Sequence, residues 1–394
     1  ASLMNRGLFH AAKYLARAAP VAAACQLSWN NRGDCASFSA ATYPANDPIE
    51  DRHLHKHVGE WGVAAVFDGH GGWQISDLVS QVLVDKVMDG IVNVSEKDEI
   101  TVDEKILAAF ESMEKDVVSR VRSAFNLGFG EVSKVGSCVL LAFKKADRLI
   151  VANCGDCRAI LGSAVPSANA TSEKNIASPD TYVSTRINRD HNARVRLEQL
   201  RLEQDHPGEP GLFRCKNPHA CYVKGRLQLT RSIGDEYLKS QEFNGSKDKH
   251  RSSGRYIPHP YTPPYVSHQP DLHHLRLQPK DKFVILATDG LWDYLSDQEA
   301  VDIVASCMPS EPVEAPAASQ SFFSFGLSSR PTPASTEHID KAKFELLAAE
   351  RLVNRALEIA AAESGMTLAQ LKTLPIGRKR RSTHDDTTVV VMYF

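Results

Sequence analysis

The sequence predicts an α+β domain in which helices and strands form separate layers. Short apolar segments typical of strands lie before and after two segments with helical periodicity, and several strand segments follow one another as a meander. A parallel α/β fold would instead alternate single strands with helices along the chain. The observed grouping therefore favours a layered α+β arrangement.

The predicted strands are short apolar runs that end at turn residues. The run at residues 62–67, GVAAVF, stops at Asp68 and a glycine-rich sequence, so we expect a buried strand followed by a tight loop. Comparable strand segments lie at residues 139–143, 149–152, 158–161, 282–287 and 387–394.

The predicted helices rest on apolar spacing and capping signals. Apolar residues recur at i, i+3, i+4 and i+7 over residues 75–83 and again over residues 106–121. Ser296 and Glu299 form a capping-box signature that opens another helix. The composition of residues 337–362 predicts a further one.

Length and composition exclude several classes of protein. The 394 residues suffice for a large core, and no run approaches the roughly 18 apolar residues of a membrane span. The 46 Lys and Arg residues nearly cancel 48 Asp and Glu residues, which argues against a nucleic-acid-binding protein. Eight Cys are too few for a disulfide scaffold and indicate a reducing compartment.

Residues 1–33 form a basic segment without acidic residues, in which Arg6, His10, Lys13 and Arg17 recur at helical spacing. The pattern is typical of a mitochondrial transit peptide, and a helix packed on the domain or an irrelevant tail is the alternative. We expect a cytoplasmic location, with the mitochondrion as the alternative.

Residues 309–336 are crowded with Pro, Ser and Ala, which predicts a mobile insertion. Phe322, Phe323 and Phe325 interrupt it, so a docking segment is the alternative to a loosely collapsed loop. Two other turn-rich segments are expected at the surface, residues 163–181 and 240–264.

Acidic residues recur where the predicted strands begin or end. They are Asp68, Asp156, Asp289, Asp385 and Asp386, with Glu50 and Asp51 ahead of the first strand. A single Asp at such a place is usually a turn residue, because its carboxylate accepts local backbone hydrogen bonds. Several carboxylates that converge at one end of a sheet repel one another unless cations neutralise them. The pattern therefore predicts a metal site.

The donor chemistry of this site favours Mg²⁺ or Mn²⁺, because oxygen ligands select hard cations over zinc. Two ions about 4 Å apart, bridged by one carboxylate, would generate a hydroxide and clamp a phosphoryl group for in-line displacement. The glycines after Asp68 would let the backbone approach a metal or a phosphate closely. His70 is placed to protonate a leaving alkoxide.

Taken together, these motifs resemble those of the metal-dependent Ser/Thr protein phosphatases of type 2C. The resemblance covers roughly residues 46–394 and runs in order through Glu50-Asp51, VFDGHGG at 66–72, GSCVLLAF at 136–143, ANCGDCRAIL at 152–161, RDH at 189–191, LTRSIGD at 229–235, ATDGLWD at 287–293 and HDDTTVVV at 384–391. It implies a four-layer α/β/β/α fold, a central antiparallel β-sandwich flanked by helices, with a dinuclear centre at one end. Residues 34–394 would then be the catalytic domain, hydrolysing phosphoserine and phosphothreonine with a metal-activated water.

The resemblance implies ligand roles for the acidic motifs. Asp68 would bridge two ions, with the Gly69 carbonyl and Glu50 on one ion and Asp289 and Asp385 on the other. Asp386 stands where many members carry Asn, so the choice between these two adjacent aspartates stays open, with motif alignment favouring the first.

Further residues are expected around the two ions. Asp51 and Asp293 would hold metal-bound waters, and Asp156 would take part in a third, weaker ion site. His70 matches the general acid of the family. Cys157 replaces the usual Ser.

One position departs from the family pattern. Most members carry an Arg four residues before the glutamate of Glu50-Asp51, where it grips the substrate phosphate, and this chain has Asn46. The mitochondrial pyruvate dehydrogenase phosphatase branch also carries Asn there, and residues 351–394 look similar to that branch and to some plant members. Because Asn supplies no charge, we expect weaker phosphate affinity unless another cation substitutes.

Two other functions stay open. Asn46 would suit a catalytically weak regulatory relative that binds phosphoproteins, although all expected metal ligands are present. A metal-dependent phosphodiesterase or nuclease shares the two-metal chemistry, but the near-neutral charge and the ordered motifs argue against it. We expect phosphorylated proteins as partners, no nucleic acid, no membrane span and a monomer.

Other conspicuous residues are given structural roles. Cys154 and Cys157 flank a predicted strand and turn, so we do not expect a redox or zinc pair. Arg231 and Asp235 are expected to be structural ties near the site. The basic run at residues 378–381 is expected to be a solvated loop beside the metal site, with a nuclear signal or a substrate-docking patch as the alternatives.

Overall fold

The computed structural model describes residues 36–94, 98–165, 181–218, 220–244, 256–308 and 347–394. These residues form thirteen strands, β1 Ser37–Tyr43, β2 Arg52–Val58, β3 Trp61–His70, β4 Gly136–Lys145, β5 Arg148–Cys154, β6 Arg158–Val165, β7 Thr181–Arg186, β8 Phe213–Asn217, β9 Ala220–Val223, β10 Ile233–Gly234, β11 Asp271–Arg276, β12 Asp281–Ala287 and β13 Thr387–Tyr393. They also form eight α-helices, α1 Gln74–Ile91, α2 Glu99–Asn126, α3 Arg196–Asp205, α4 Asp289–Trp292, α5 Asp297–Ser306, α6 Leu347–Glu363, α7 Leu368–Thr373 and α8 Arg378–Arg381.

Two antiparallel sheets pack face to face. One has five strands in the order β1-β13-β12-β6-β7, and the other has six, in the order β11-β5-β4-β3-β2 with β10 paired to β4. The core between the sheets consists of aliphatic and other small apolar side chains, among them Ala64, Val66, Leu140, Val284 and Val390. This sandwich is the frame that carries the acidic strand ends.

Helices cover the outer face of each sheet. Apolar residues of α1 and α2, such as Leu83 and Phe110, pack on the β3 and β4 side. Apolar residues of α5 and α6, such as Val304 and Leu352, pack on the β12 and β13 side. The predicted four-layer α/β/β/α class is therefore confirmed.

The predicted elements are present, and β3 is longer than expected. We expected a tight loop directly after Phe67, but β3 continues to His70 because Asp68, Gly69 and His70 keep pairing with residues 136–138 of β4. Ser296 caps α5 with the reciprocal capping box that its sequence predicts.

Seven of the thirteen strands were not predicted, and β1 and β2 are two of them, because their sequences lack a buried apolar pattern. β1 reads SFSAATY, and β2, an edge strand, reads RHLHKHV. Their positions depend on pairing with β13 and β3, which local sequence does not encode.

One expectation about the chain holds in part and one is wrong. In the described part of residues 240–264, Gln241, Pro258 and Thr262 are among the exposed residues, but Phe243, Ile257 and Tyr261 are buried and tie the segment to the core. Cys215 and Cys221 face each other across β8 and β9 and form a disulfide, whereas we expected reduced cysteines.

Several expectations fall on residues that the structure does not describe. They are the basic segment 1–33, its boundary with the domain at residues 33 and 34, and the insertion 309–336. All three stay predictions. Among the helices of the described residues, none combines the length and apolar character that crossing a bilayer requires.

Candidate metal centre

The end of β3 directs Asp68 into the sandwich. Side chains alternate across a strand, and Ala64 and Val66 lie between the sheets while Phe67 faces the helices. Asp68 continues the inward-facing set and lies opposite Cys138 of β4. Its carboxylate therefore sits at the end of the core between the sheets.

Two further aspartates reach the same place from other strands. Asp156 lies between β5 and β6, and Asp289 begins α4, separated by one residue from the end of β12. One carboxylate oxygen from each of Asp68, Asp156 and Asp289 lies within 4.8 Å of the others. We call these three residues the carboxylate cluster.

The electrostatics of the carboxylate cluster are unfavourable without cations. Burial and the neighbouring charge of Asp289 raise the pKa of Asp68 well above its usual range. Burial and the charges of Asp156 and Asp385 do the same to the pKa of Asp289. The donors are oxygen atoms, so the cluster fits a hard divalent cation such as Mg²⁺ or Mn²⁺.

Other predicted ligands surround the cluster. Asp51 is buried and accepts a hydrogen bond of 2.9 Å from the Thr288 hydroxyl. Burial and the charge of Asp386 raise the pKa of Asp51 and of Glu50. Burial also raises the pKa of Asp293, where the Arg194 charge opposes the shift. Each of these carboxyl groups would be easier to ionise beside a bound cation.

Gly69 allows Glu50 to approach the end of β3. A side chain at Gly69 would overlap the Glu50 carbonyl oxygen and would lie 2.7 Å from the Ser76 hydroxyl. That hydroxyl donates a hydrogen bond of 2.5 Å to the same carbonyl. The glycine is therefore required for close contact between two chain segments, in addition to any approach of a metal or phosphate.

Asp156 is held in place by two donors. The Asn192 side-chain amide donates to one oxygen at 2.9 Å, and the Cys138 thiol donates to the other at 3.3 Å. Sequence reasoning missed Asn192, although it directly follows the RDH motif. Cys157, at the usual Ser position, is buried.

His70 is paired with a carboxylate that we had assigned a structural role. His70 Nε2 donates to Asp235 Oδ2 at 2.7 Å, and the buried Asp235 also accepts from the Ser232 hydroxyl at 2.6 Å. Burial lowers the pKa of His70, but the charge and hydrogen bond of Asp235 outweigh it, so the net shift is upward. A side chain at Gly136 would overlap both partners. Asp235 thus orients His70 and favours its protonated form.

Asp386 holds the loop that carries Asn46 and Glu50. Its carboxylate accepts from the backbone N–H groups of Ala45 at 2.6 Å, Asn46 at 2.9 Å and Glu50 at 2.8 Å. It also accepts from the Asn46 side-chain amide at 3.0 Å. Asp386 is therefore engaged with this loop, while the ligand role of Asp385 stays a prediction.

Arg231 is a structural tie, as predicted. Its guanidinium bonds Asp271 at 2.6 Å and Glu198 at 3.1 Å.

The predicted loop at residues 378–381 is instead the short helix α8, and Arg380 within it is buried.

The comparisons with known proteins agree with this geometry. A sequence profile described as Protein phosphatase 2C matches residues 39–363. The chain is 33% identical over 358 residues to Probable protein phosphatase 2C 68 of Arabidopsis thaliana, covering 90% of this chain and 77% of that relative. It is 31% identical over 360 residues to Probable protein phosphatase 2C 43 of Oryza sativa subsp. japonica, covering 90% and 77%.

Solved structures share the fold at lower identity. A serine-threonine phosphatase 2C from Toxoplasma gondii aligns with a TM-score of 0.56 and 18% identity, covering 91% of this chain and 95% of that one. A C. elegans sex-determining protein aligns with a TM-score of 0.53 and 16% identity, covering 91% and 64%. From the family profile and the sequence relatives, the chain belongs to the protein phosphatase 2C family and is a metal-dependent Ser/Thr protein phosphatase.

Proposed function

We propose that this phosphatase acts on phosphoserine and phosphothreonine of protein substrates with two Mg²⁺ or Mn²⁺ ions bound at the carboxylate cluster. Asp68 would bridge them, with Glu50 and the Gly69 carbonyl on one ion and Asp289 and Asp385 on the other. The observation that carries the proposal is the approach of the Asp68, Asp156 and Asp289 oxygens to within 4.8 Å. Such buried, mutually repelling carboxylates are favourable mainly when cations neutralise them.

The remaining ligand roles complete the site. Asp51 and Asp293 would hold metal-bound waters, and Asp156 would take part in a third, weaker ion site. Bound divalent cations would neutralise these carboxylates, bind phosphoryl oxygens and make a water acidic enough to attack phosphorus near neutral pH.

His70 would supply the proton in this reaction. The leaving group is a serine or threonine alkoxide, which is a poor leaving group unless it is protonated. The hydrogen bond of 2.7 Å to Asp235 fixes the ring and raises the pKa of His70. The raised pKa favours the imidazolium form, which would donate its proton to the alkoxide.

Asn46 would bind the substrate phosphate only weakly. One N–H of its side-chain amide already donates to Asp386 at 3.0 Å. The second N–H is a neutral donor, which forms a weaker bond with a phosphate than a guanidinium does.

The direct test is Mn²⁺-dependent hydrolysis of a phosphopeptide by Asp68→Ala. We expect activity to fall below detection and the affinity for Mn²⁺, measured by calorimetry, to fall with it. The matched control is Asp116→Asn, which removes an exposed carboxylate of α2 and should leave both quantities unchanged. Near-normal turnover by Asp68→Ala would contradict the proposal.

A further inference from the structure

The site lacks the expected cation at Asn46, and a phosphate monoester dianion needs positive charge from the protein or from metals. Two other arginines of the site already bond carboxylates. Arg52 donates to Asp77 at 2.9 Å and to the Asp51 carbonyl at 2.7 Å. Arg194 donates to Asp190 at 2.9 Å. Both are ion-paired, and the Arg52 and Arg194 side chains are only 24% and 36% exposed, so they offer less surface to a phosphate than a more exposed arginine would.

Helix α8 is docked against the same loop. The Gly377 N–H, at its start, donates to the Ala45 carbonyl at 2.7 Å. Arg380 donates to the Pro44 carbonyl at 2.9 Å, and its guanidinium lies 4.9 Å from the centre of the Tyr43 ring. Arg380 is therefore an anchor that fixes α8 beside the segment leading to Asn46.

This anchoring places Arg381 at the edge of the predicted metal centre. Its guanidinium forms an ion pair of 2.5 Å with the Asp385 carboxylate, and its side chain is 49% exposed. Its charge also opposes the upward pKa shifts of Glu50 and Asp293, after the larger contributions of burial and of other neighbours. Arg381 therefore acts on carboxylates from three separate segments and remains open to solvent.

We propose that Arg381 binds the phosphate group of the substrate and supplies the positive charge that Asn46 lacks. This inference rests on the proposed function. A guanidinium carries five N–H donors in a planar fork, so it can contact a phosphate oxygen while it remains near Asp385. The ligand is a phosphate monoester dianion. The Arg381 side chain would reach this phosphate from α8, whereas the usual arginine of the family reaches it from the loop before Glu50.

The test compares Arg381→Gln with Arg378→Gln, which removes the same charge from an exposed position of the same helix. Binding of inorganic phosphate to the Mn²⁺-loaded proteins is measured by calorimetry. We expect Arg381→Gln to weaken phosphate binding and raise KM for a phosphopeptide by about tenfold, the low end for a charge-assisted contact, with a smaller change in kcat. Arg378→Gln should match the wild type.

Two further measurements separate phosphate binding from a structural role. Affinity for Mn²⁺ should not weaken in Arg381→Gln, because that variant loses a cation that competes for Asp385. Adding Asn46→Arg to Arg381→Gln should restore phosphate binding, since a positive charge returns at the position where this chain lacks one.

Unchanged phosphate binding in Arg381→Gln would overturn the inference, as would an equal loss in Arg378→Gln. A parallel loss of Mn²⁺ affinity would also overturn it by showing that Arg381 only supports the ligands. Phosphate binding that depends on Arg381 in a protein without phosphatase activity would support the inference while contradicting the proposed function.

Discussion

Two groups of buried or half-buried carboxylates in this molecule have opposite pKa shifts. In the carboxylate cluster, burial and like charges raise the pKa values of Asp68 and Asp289. In a second group, Glu198 and Asp271 face the guanidinium of Arg231, and Asp271 also accepts from His191 at 3.0 Å. We call this second group the paired network.

The pKa shifts of the two groups differ because their carboxylates have different partners, and burial alone does not explain the difference. The hydrogen bond from His191 and the charge of Arg231 lower the pKa of Asp271. Burial raises the pKa of Glu198, but the bonds from Thr230 and Arg231 outweigh it, and the net shift is downward. The paired network is complete within the protein, whereas the carboxylate cluster requires ions from outside. A group of carboxylates without cationic partners therefore indicates a functional site. A group of carboxylates paired with cationic side chains indicates a contribution to stability.

The largest expected effect comes from removing a member of the carboxylate cluster. Asp289→Asn should reduce phosphopeptide turnover more than about a hundredfold, because even partners of metal ligands are worth 10–100-fold. Without metal, near pH 7, the same change should raise the free energy of unfolding by about 1 kcal/mol, because it relieves repulsion. Chemical denaturation in EDTA and in Mn²⁺ measures both effects.

The control for this experiment is Asp302→Asn, an exposed carboxylate of α5. In the wild type, Mn²⁺ at about 100 times Kd should add about 2.7 kcal/mol per bound site. Asp289→Asn should lose most of that gain. A metal-free variant that is less stable than the wild type would show that the cluster is not repulsive.

A smaller loss of activity is expected from a change in the hydrogen-bonded pair of His70 and Asp235. Asp235→Asn should reduce kcat by about tenfold, as is typical when a positioning partner is lost. Because the folded pKa of His70 is raised, the protonated acid is present below that pKa and is lost as the pH rises through it. The variant should therefore move the alkaline limb of the kcat profile to lower pH.

Ser232→Ala is the matched comparison, since it removes a hydrogen bond to Asp235 of 2.6 Å but keeps the carboxylate. Its alkaline limb should stay close to that of the wild type. If Asp235→Asn leaves that limb in place, Asp235 does not control the proton of His70.

The smallest catalytic effect is expected in the paired network. Asp271→Asn should destabilise the fold by about 1–3 kcal/mol, because Arg231 and His191 lose a charged partner. Affinity for Mn²⁺ should change little. Since the folded pKa of Asp271 is lowered, its contribution is present above the unfolded pKa and disappears as the pH falls through the folded value.

Urea denaturation at several pH values checks this prediction. The surface pair Asp147 and Arg276 offers a control, because both side chains are more than half exposed. Asp147→Asn should change stability by less than about 0.5 kcal/mol. Equal destabilisation by the two variants would remove the distinction between the paired network and an ordinary surface ion pair.

The sequence predicted those parts of the fold and site that depend on local pattern. The apolar run before Asp68 predicted β3, and the acids at strand ends predicted a group that the structure brings together at Asp68, Asp156 and Asp289. The pairing of His70 with Asp235 was not predictable in this way, because the two residues lie 165 positions apart. Only packing of the β10 segment beside β4 brings them into contact.

The contacts of the Asn46 loop were also not predictable from local sequence. The sequence left open whether Asp385 or Asp386 is the metal ligand, because adjacent aspartates at the start of a strand look alike. Its four hydrogen bonds to the loop, in contrast to the ion pair of Asp385 with Arg381, distinguish the two in the structure.

The central position of β13 has a consequence for synthesis on the ribosome. β13 lies between β1 and β12, and Asp386 just before it bonds to Ala45, 341 positions earlier in the chain. A nascent chain that has not yet reached β13 leaves the pairing edges of β1 and β12 open, and such edges favour misassociation. A chain released before β13 is made would therefore be an inactive, aggregation-prone fragment.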